Sequence, residues 1–210
     1  MKILISAGPT REKIDAVRFL SNRSSGKMGY ALARAARQAG LETTLVSGPV
    51  SLSVPEGVRL ISVESAAEMA EAIHAEAGNA DIVIMAAAVA DYRPVKTVAN
   101  KMKKQSGNLV LELERTEDIL KSLGQKKKAG QILVGFAAET DDVIAYAKSK
   151  LDKKNLDWIV ANDVSRADRG FASDQNAVTM ISRNGKQIDI PLADKDEVAC
   201  KILEVIKAHI

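Results

Sequence analysis

Residues 8–26, GPTREKIDAVRFLSNRSSG, carry Arg11, Arg18, Asn22 and Arg23 ahead of Ser24, Ser25 and Gly26. Two or more guanidinium groups beside a helix start make an anion site, because the fork of N–H donors matches phosphate and carboxylate oxygens. The serines add hydroxyls, and the first helical turn adds backbone N–H groups that have no helical partner. Ordinary serine capping uses the same residues, so residue type alone leaves both readings open. The stretch fits neither common phosphate loop. A dinucleotide fingerprint needs Gly-x-Gly-x-x-Gly directly after the first strand, but Gly8 is followed by Pro9 and a long loop. A Walker loop needs a Gly five residues before its Gly-Lys and a Ser or Thr after it. Ser21 and Met28 stand at those places around Gly26-Lys27.

Other reactive types are sparse. Cys200 is the only cysteine and shares a helical face with Val198, Ile202 and Ile206, the setting of a structural thiol. With His74 and His209 as the only histidines, no Cys/His zinc site can be assembled. A single cysteine excludes an internal disulfide, so a cytoplasmic location is expected. Neither a signal peptide nor an apolar run near ~18 residues is visible, and no membrane partner is expected. Thirty basic against twenty-seven acidic residues give a net charge of +3, too balanced for a nucleic-acid coat. An aromatic content of 3% is too low for a base-stacking platform. Lysines cluster at 101–104, 126–128 and 148–154, either as a solvated face or facing a phosphate-bearing small molecule.

The elements that must position these groups alternate between strand and helix. KILISAG is the first strand, and residues 26–39 form a helix with Met28, Leu32, Ala35, Ala36 and Ala39 on one face, closed by Gly40. TTLVSG and VRLISV are strands, and Ser65 with Glu68 forms a capping box for a helix ending before Gly78. DIVIMAAAV and QILVGFAAE are near-continuous apolar runs, as central parallel strands require. A helix over 142–154 precedes the strand LDWIVAND. Asn184-Gly185 then signals a type I′ hairpin over about 177–190, and a closing helix starts at Asp194 with Glu197 three residues on. Residues 91–118 have strand-like ends around a basic middle, a flap over about 95–110. Val17, Phe19 and Leu20 point to an anchored rather than a disordered 8–26 loop. The expected fold is α/β: one Rossmann-like, doubly wound, mostly parallel sheet flanked by helices over 1–210, with an added antiparallel hairpin and a basic flap.

Four fragments in order, AGPTRE…VRFLSNRSSGKMG, AAAVADYRP…NKMKKQ, GFAAET and KKNLDWIVANDV…FASDQN, resemble the phosphopantothenate–cysteine ligases of the bacterial, CTP-dependent type. The resemblance runs from about residue 3 to 208. It implies that 4′-phosphopantothenate and L-cysteine are joined with CTP, through an acyl-cytidylate, with release of pyrophosphate and CMP in coenzyme A biosynthesis. It also implies Mg²⁺ with the nucleotide, a homodimer, and frequent fusion to a flavin-dependent phosphopantothenoylcysteine decarboxylase. No flavin is expected in this chain, and the metal ligands stay unassigned.

The resemblance assigns roles residue by residue. Asn22 matches the Asn that handles the acyl-cytidylate, Arg18 an Arg beside it, and Lys101 the flap Lys that acts in forming the intermediate. For the nucleotide it marks Met85, Ala86 and Ala87, at a strand end where open sheets bind ligands, together with Asp91. It also marks Thr116, Glu117, Asp118 and Ile119, with helix capping as the plain alternative for Thr116. Phe136 is marked as a base-packing or core residue. Lys150 and Lys154 match nucleotide-contacting lysines, although the end of their helix should point away from the strand ends. Two other classes stay open: a nucleotide-sensing module without catalysis, and an NAD(P)-dependent oxidoreductase, which the missing glycine fingerprint disfavours.

Overall fold

Residues apolar at every position, rather than at alternate ones, need cover on both faces, and the strands that read this way lie in the middle of the sheet. The computed structural model describes all residues except 105, 140–148, 164–172 and 210. In chain order its elements are β1 (Lys2–Ala7), β2 (Arg11–Lys13), β3 (Phe19–Ser21), α1 (Lys27–Gln38), β4 (Glu42–Ser47), β5 (Arg59–Ser62) and α2 (Ala66–Ala77). There follow β6 (Ile82–Met85), β7 (Tyr92–Pro94), β8 (Leu113–Arg115), α3 (Ile119–Lys126) and β9 (Ile132–Glu139). A helix described at 149–153 is α4. The chain closes with β10 (Trp158–Asp163), β11 (Gln175–Ser182), β12 (Gln187–Asp194) and α5 (Lys195–Lys207). The rest of the helix expected over 142–154 lies outside the described residues.

The main sheet has the order β12-β11-β10-β9-β6-β1-β4-β5. Pairings from β10 to β5 are parallel, and those of β11 are antiparallel. Numbering only the parallel strands along the chain gives the doubly wound order 3-2-1-4-5-6, which reverses between β1 and β6. The pleat sends Ile3, Ile5 and Ala7 into one core with α1 and α5, and Leu4 into another with α2, α3 and Leu151 of α4. Helices therefore cover both faces. Gly29 lets α1 lie directly on β1: a Cβ there would stand 2.5 Å from Ala7 Cβ.

Four local expectations are corrected. Ala39 is exposed, because α1 ends at Gln38 and Ala39 is its C-cap. The 182–186 connection is not a type I′ turn, since Gly185 has φ 82° while Asn184 does not take a positive φ. Gly185 N donates to Ser182 O and Ser182 N to Lys186 O, a three-residue loop whose left-handed position falls on the glycine. Asp194 is the N-cap of α5 but its side chain makes no capping bond. The capping box at α2 is half kept. Ser65 Oγ accepts from Glu68 N at 3.2 Å, while the Glu68 carboxylate accepts from Glu64 N rather than from Ser65.

The 8–26 loop is anchored, though not by the expected side chains. It folds as a β2–β3 hairpin on which Val17 is 60% and Phe19 45% exposed. Its buried members are Thr10, Glu12, Ile14 and Asp15. Polar groups can anchor here because each finds a partner: Glu12 Oε1 accepts from Ala66 N at 2.9 Å, at the start of α2. The flap ends pair as β7 and β8, with Tyr92 opposite Arg115.

Candidate functional site

At the reversal point the helices that follow β1 and β6, α1 and α3, pack on opposite faces of the sheet, which leaves a crevice at the strand ends. Backbone and side chains lace its floor. Ala88 N donates to Gly8 O at 2.9 Å, Ala87 N to Ser6 Oγ at 3.1 Å and Ala90 N to Thr10 Oγ1 at 2.9 Å. Asn22 Nδ2 donates to the Ala88 and Val89 carbonyls at 3.1 and 3.3 Å, so the amide spans from the β3–α1 segment onto the β6 loop. Thr116 Oγ1 donates to Ala90 O at 2.5 Å, fixing the turn before α3 to the same loop.

Above this floor is a cavity of about 710 Å³, within the range of small-molecule sites. Its electropositive wall comes from the start of α1 and from Lys195, the first residue of α5. Gly26, the N-cap of α1 with φ 76°, supplies no side-chain cap, and the first turn of α1 carries no acidic residue. Gly26, Lys27, Met28 and Gly29 all line the cavity, together with Arg23 and Lys195. Lys27 Nζ pairs with Asp174 at 2.6 Å, and Lys195 Nζ donates to the Ser173 carbonyl. Burial and the neighbouring Lys27 pull the Lys195 amine below its ordinary value, with Asp174 opposing. Such an amine beside a second cation is stabilised by an arriving anion. Gly26, not a serine, is thus the N-cap of α1, although Ser24 Oγ accepts from Gly26 N at 3.3 Å, and the anion reading keeps a physical basis.

The opposite wall is the turn 115–120. Asp118 is the N-cap of α3, accepting from Lys121 N at 3.0 Å, so Thr116 is not the cap. Lys154 Nζ reaches Asp118 at 2.9 Å and lines the cavity. Its long side chain overcomes the objection that the end of its helix points away from the strand ends. Glu117 bonds His74 Nε2 at 2.7 Å, and that hydrogen bond holds its carboxyl below the ordinary range. Among the described residues no three His, Cys, Asp or Glu side chains converge as a metal site.

The whole chain, residues 1–210, matches the DNA/pantothenate metabolism flavoprotein C-terminal domain family. The chain belongs to that family. It is 54% identical over 207 residues to the coenzyme A biosynthesis bifunctional protein CoaBC of Bacillus subtilis, covering 98% of this chain and 51% of that protein. The chain thus spans about half the length of that curated relative. The crystal structure of the C-terminal domain of a coenzyme A biosynthesis bifunctional protein CoaBC is 50% identical, with a TM-score of 0.85 over 99% of this chain and 94% of that one. A Cab2 variant in complex with phosphopantothenate-cysteine shares the fold, with a TM-score of 0.79 at 18% identity over 99% of this chain and 85% of that one.

Within this flavoprotein C-terminal domain, the cavity gathers Asn22, Met85, Ala86, Ala87, Asp91, Thr116, Glu117, Asp118, Ile119, Phe136 and Lys154. Arg18, Lys101 and Lys150 lie outside its lining. Arg18 is displaced from any anion role at the cavity wall because the buried Asp15 carboxylate binds its guanidinium, at 2.9 Å from Nε. Arg11 stacks over the Phe19 ring at 4.6 Å. Of the loop cations only Arg23 reaches the cavity. Lys101 is exposed on the flap, and Lys150 is half-buried.

Sequence reading missed Lys27, Lys195, Asn162 and His74 as members or neighbours of the site. Lys27 was visible in Gly26-Lys27, but the failed Walker match left it without a role. Lys195 and Asn162 are distant in sequence and carry no local signal. Asn162 lines the cavity at the end of β10, and its Oδ1 is buried with no hydrogen-bond partner among the described residues. Such an acceptor fits a ligand N–H or O–H.

Proposed function

We propose that this chain is a ligase domain joining 4′-phosphopantothenate to L-cysteine with CTP, giving phosphopantothenoylcysteine, CMP and pyrophosphate. The observation that carries the reading is the cavity at the sheet reversal, where the uncapped start of α1, Lys27 and Lys195 face a nucleotide-sized space. Close identity to the C-terminal half of CoaBC proteins supports placing the ligase reaction, rather than a decarboxylation, in this half.

The chemistry proceeds in two displacements. A carboxylate oxygen of phosphopantothenate attacks the α-phosphorus of CTP, and the bond to pyrophosphate breaks with its electron pair. The cysteine amine then attacks the acyl carbon; the carbon–oxygen bond to CMP breaks and the new amide nitrogen loses a proton. Bringing anions together needs fixed positive charge, which the α1 start, Lys27, Lys195 and Lys154 supply on two walls. Lys101 acts on the triphosphate from the flap in the first step. Arg18 assists from the loop side. Asn22 has committed its N–H donors to the β6 loop, so its Oδ1 is the end that meets the amine of cysteine in the second step.

For the base, the contacts are the backbone of Met85–Ala87, Asp91, the 116–119 turn and Phe136, all of which line the cavity. Lys150 and Lys154 follow as nucleotide-contacting lysines. Mg²⁺ neutralises triphosphate charge; in the absence of a protein cage among the described residues, phosphate oxygens and water are its natural ligands. The domain acts as a homodimer, fused to or paired with a flavin-dependent phosphopantothenoylcysteine decarboxylase. The exposed side chains of the two small hairpins, Val17, Phe19, Leu109, Val110 and Leu113 among them, support a partner surface there.

The test is incubation of the protein with phosphopantothenate, cysteine and either CTP or ATP, following pyrophosphate and CMP. Cysteine-dependent CMP release with a higher kcat/KM for CTP is expected. ATP equal to or better than CTP overturns the nucleotide assignment, and no pyrophosphate with either overturns the ligase.

A further inference from the structure

The flap that carries Lys101 is tied down at a point remote from the cavity lining. Asp15 sits in the β2–β3 turn with its side chain fully buried, and its carboxylate gathers five donors. Oδ1 accepts from Val17 N and Arg18 N, both at 2.8 Å. Oδ2 accepts from Arg18 Nε at 2.9 Å, from Arg18 Nη2 at 2.5 Å, and from the flap itself, Met102 N, at 3.1 Å. Arg18 Nη2 closes the loop by donating to Met102 O at 3.4 Å. A second tie, Val98 N to Ile14 O at 3.2 Å, holds the flap three residues before Lys101.

An acceptor that satisfies both its own turn and a distant backbone couples the two. The local bonds account for the turn; the Met102 bond does nothing for it. Among the described residues the flap middle has little else to hold it: Lys101, Lys103 and Lys104 are exposed and no helix or strand is present between β7 and β8. A buried carboxylate accepting charged and backbone donors makes strong bonds, so one such tie can fix a segment that has no core of its own.

We infer that Asp15 is a positioning residue: through Met102 N–H it fixes the flap backbone next to Lys101, so that Lys101 enters the first displacement from a defined place. This rests on the ligase reading above only where it assigns Lys101 to the reaction; the tie itself is a matter of geometry. The same bonds give Arg18 a place in the mechanism without touching substrate. Its guanidinium keeps Asp15 ionised as an acceptor and holds Met102 O.

Two variants test this. Asp15→Asn presents a donor or a weaker acceptor to Met102 N–H and to the Arg18 guanidinium. Met102→Pro removes the same N–H from the flap side and leaves the buried turn untouched. Hydrogen–deuterium exchange of amides 97–101, 103 and 104 and tryptic cleavage after Lys103 and Lys104, bonds that both variants retain, report the tie without any substrate. Single-turnover pyrophosphate release and the later attack by cysteine report the two displacements. Both variants are expected to raise flap exchange and cleavage and to slow pyrophosphate release by roughly 10²-fold, the scale of a misplaced reacting group. The cysteine step and the melting temperature of Met102→Pro should stay near those of the parent protein. Lys101→Gln should slow the first step with flap exchange unchanged. Unchanged exchange and cleavage in both variants overturn the tie. Raised exchange with unchanged pyrophosphate release overturns the positioning of Lys101 while leaving the ligase intact. Absence of pyrophosphate from the parent protein is instead a failure of the ligase reading, visible before any variant is made.

Discussion

Asn22 and Lys101 stand in different settings, and this is the physical ground for dividing two steps between them. Asn22 is fixed to the Ala88–Val89 loop at the cavity, whereas Lys101 is exposed on a flap outside its lining. Lys101→Gln should form little acyl-cytidylate even when cysteine is omitted. Asn22→Asp should release pyrophosphate once and accumulate the intermediate, because the added charge opposes the second step more. Losing one such group typically costs about 10²–10³ in rate. Chromatography of quenched single-turnover samples reads both, and accumulation in Lys101→Gln would sink the division. Lys195 gives a second prediction. Replacement by Met removes a charged donor beside Lys27, and charged hydrogen bonds are worth about 1.5–3 kcal/mol. The KM for the anionic substrate facing α1 should rise roughly 10- to 100-fold with kcat less affected; an unchanged KM would remove Lys195 from the site.

At the scale of elements, the approach of α1 to β1 is the contact most sensitive to volume. Gly29→Ala places a methyl 2.5 Å from Ala7 Cβ and 3.1 Å from Ser6 O, neither of which is a flexible chain end. Overpacking of this kind costs about 1–3 kcal/mol. It also tilts the start of α1, so urea unfolding should show a lowered midpoint and substrate affinity should drop with it. A parent-like midpoint would mean that helix and strand separate freely. The hairpin β2–β3 depends on Glu12 in the same way, since Glu12→Leu leaves Ala66 N without its buried acceptor. A cost of about 1–3 kcal/mol is expected.

Across the whole molecule, charge and exposed apolar surface decide behaviour. Hydrogen bonding to His74 holds Glu117 below its ordinary value of 4.5, and Lys27 does the same for Asp174, ordinarily 3.8. A carboxyl whose folded value is depressed contributes stability above its unfolded value and loses it as pH falls through the folded one. The melting temperature should therefore be flat from neutral pH to about 5 and fall below about 4. His74→Phe should flatten that fall, and an unaltered slope would leave the Glu117 pair without a role in stability. For assembly, the sheet edges are a weak argument. Edge strand β12 carries Pro191 and its pairing with β11 is bulged, devices that block further pairing. The apolar excess lies instead on the small hairpins, where Val110 is 85% and Leu109 62% exposed. Light scattering at micromolar concentration should give twice the 22.5 kDa chain mass. A monomer would show that these side chains serve another surface.

The strand and helix succession was legible because burial on two faces writes itself locally, as uninterrupted apolar runs for β6 and β9 and a 3.6-residue stripe for α1. Much of the cavity was legible too, since Met85–Ala87, Asp91 and the 116–119 turn sit at strand ends and matched a family in order. What only the tertiary structure decided is which charges reach the cavity. Arg18 and Arg11 read as anion ligands by type, but a buried Asp15 and an exposed Phe19 ring hold them elsewhere. Lys195 and Asn162, without local signal, arrive because α5 packs beside α1 and β10 beside β9. A side chain's type fixes what it can bind, whereas its partner is set by whichever opposite charge or open cavity the packed chain brings within a few ångströms, and no local sequence pattern encodes that distance.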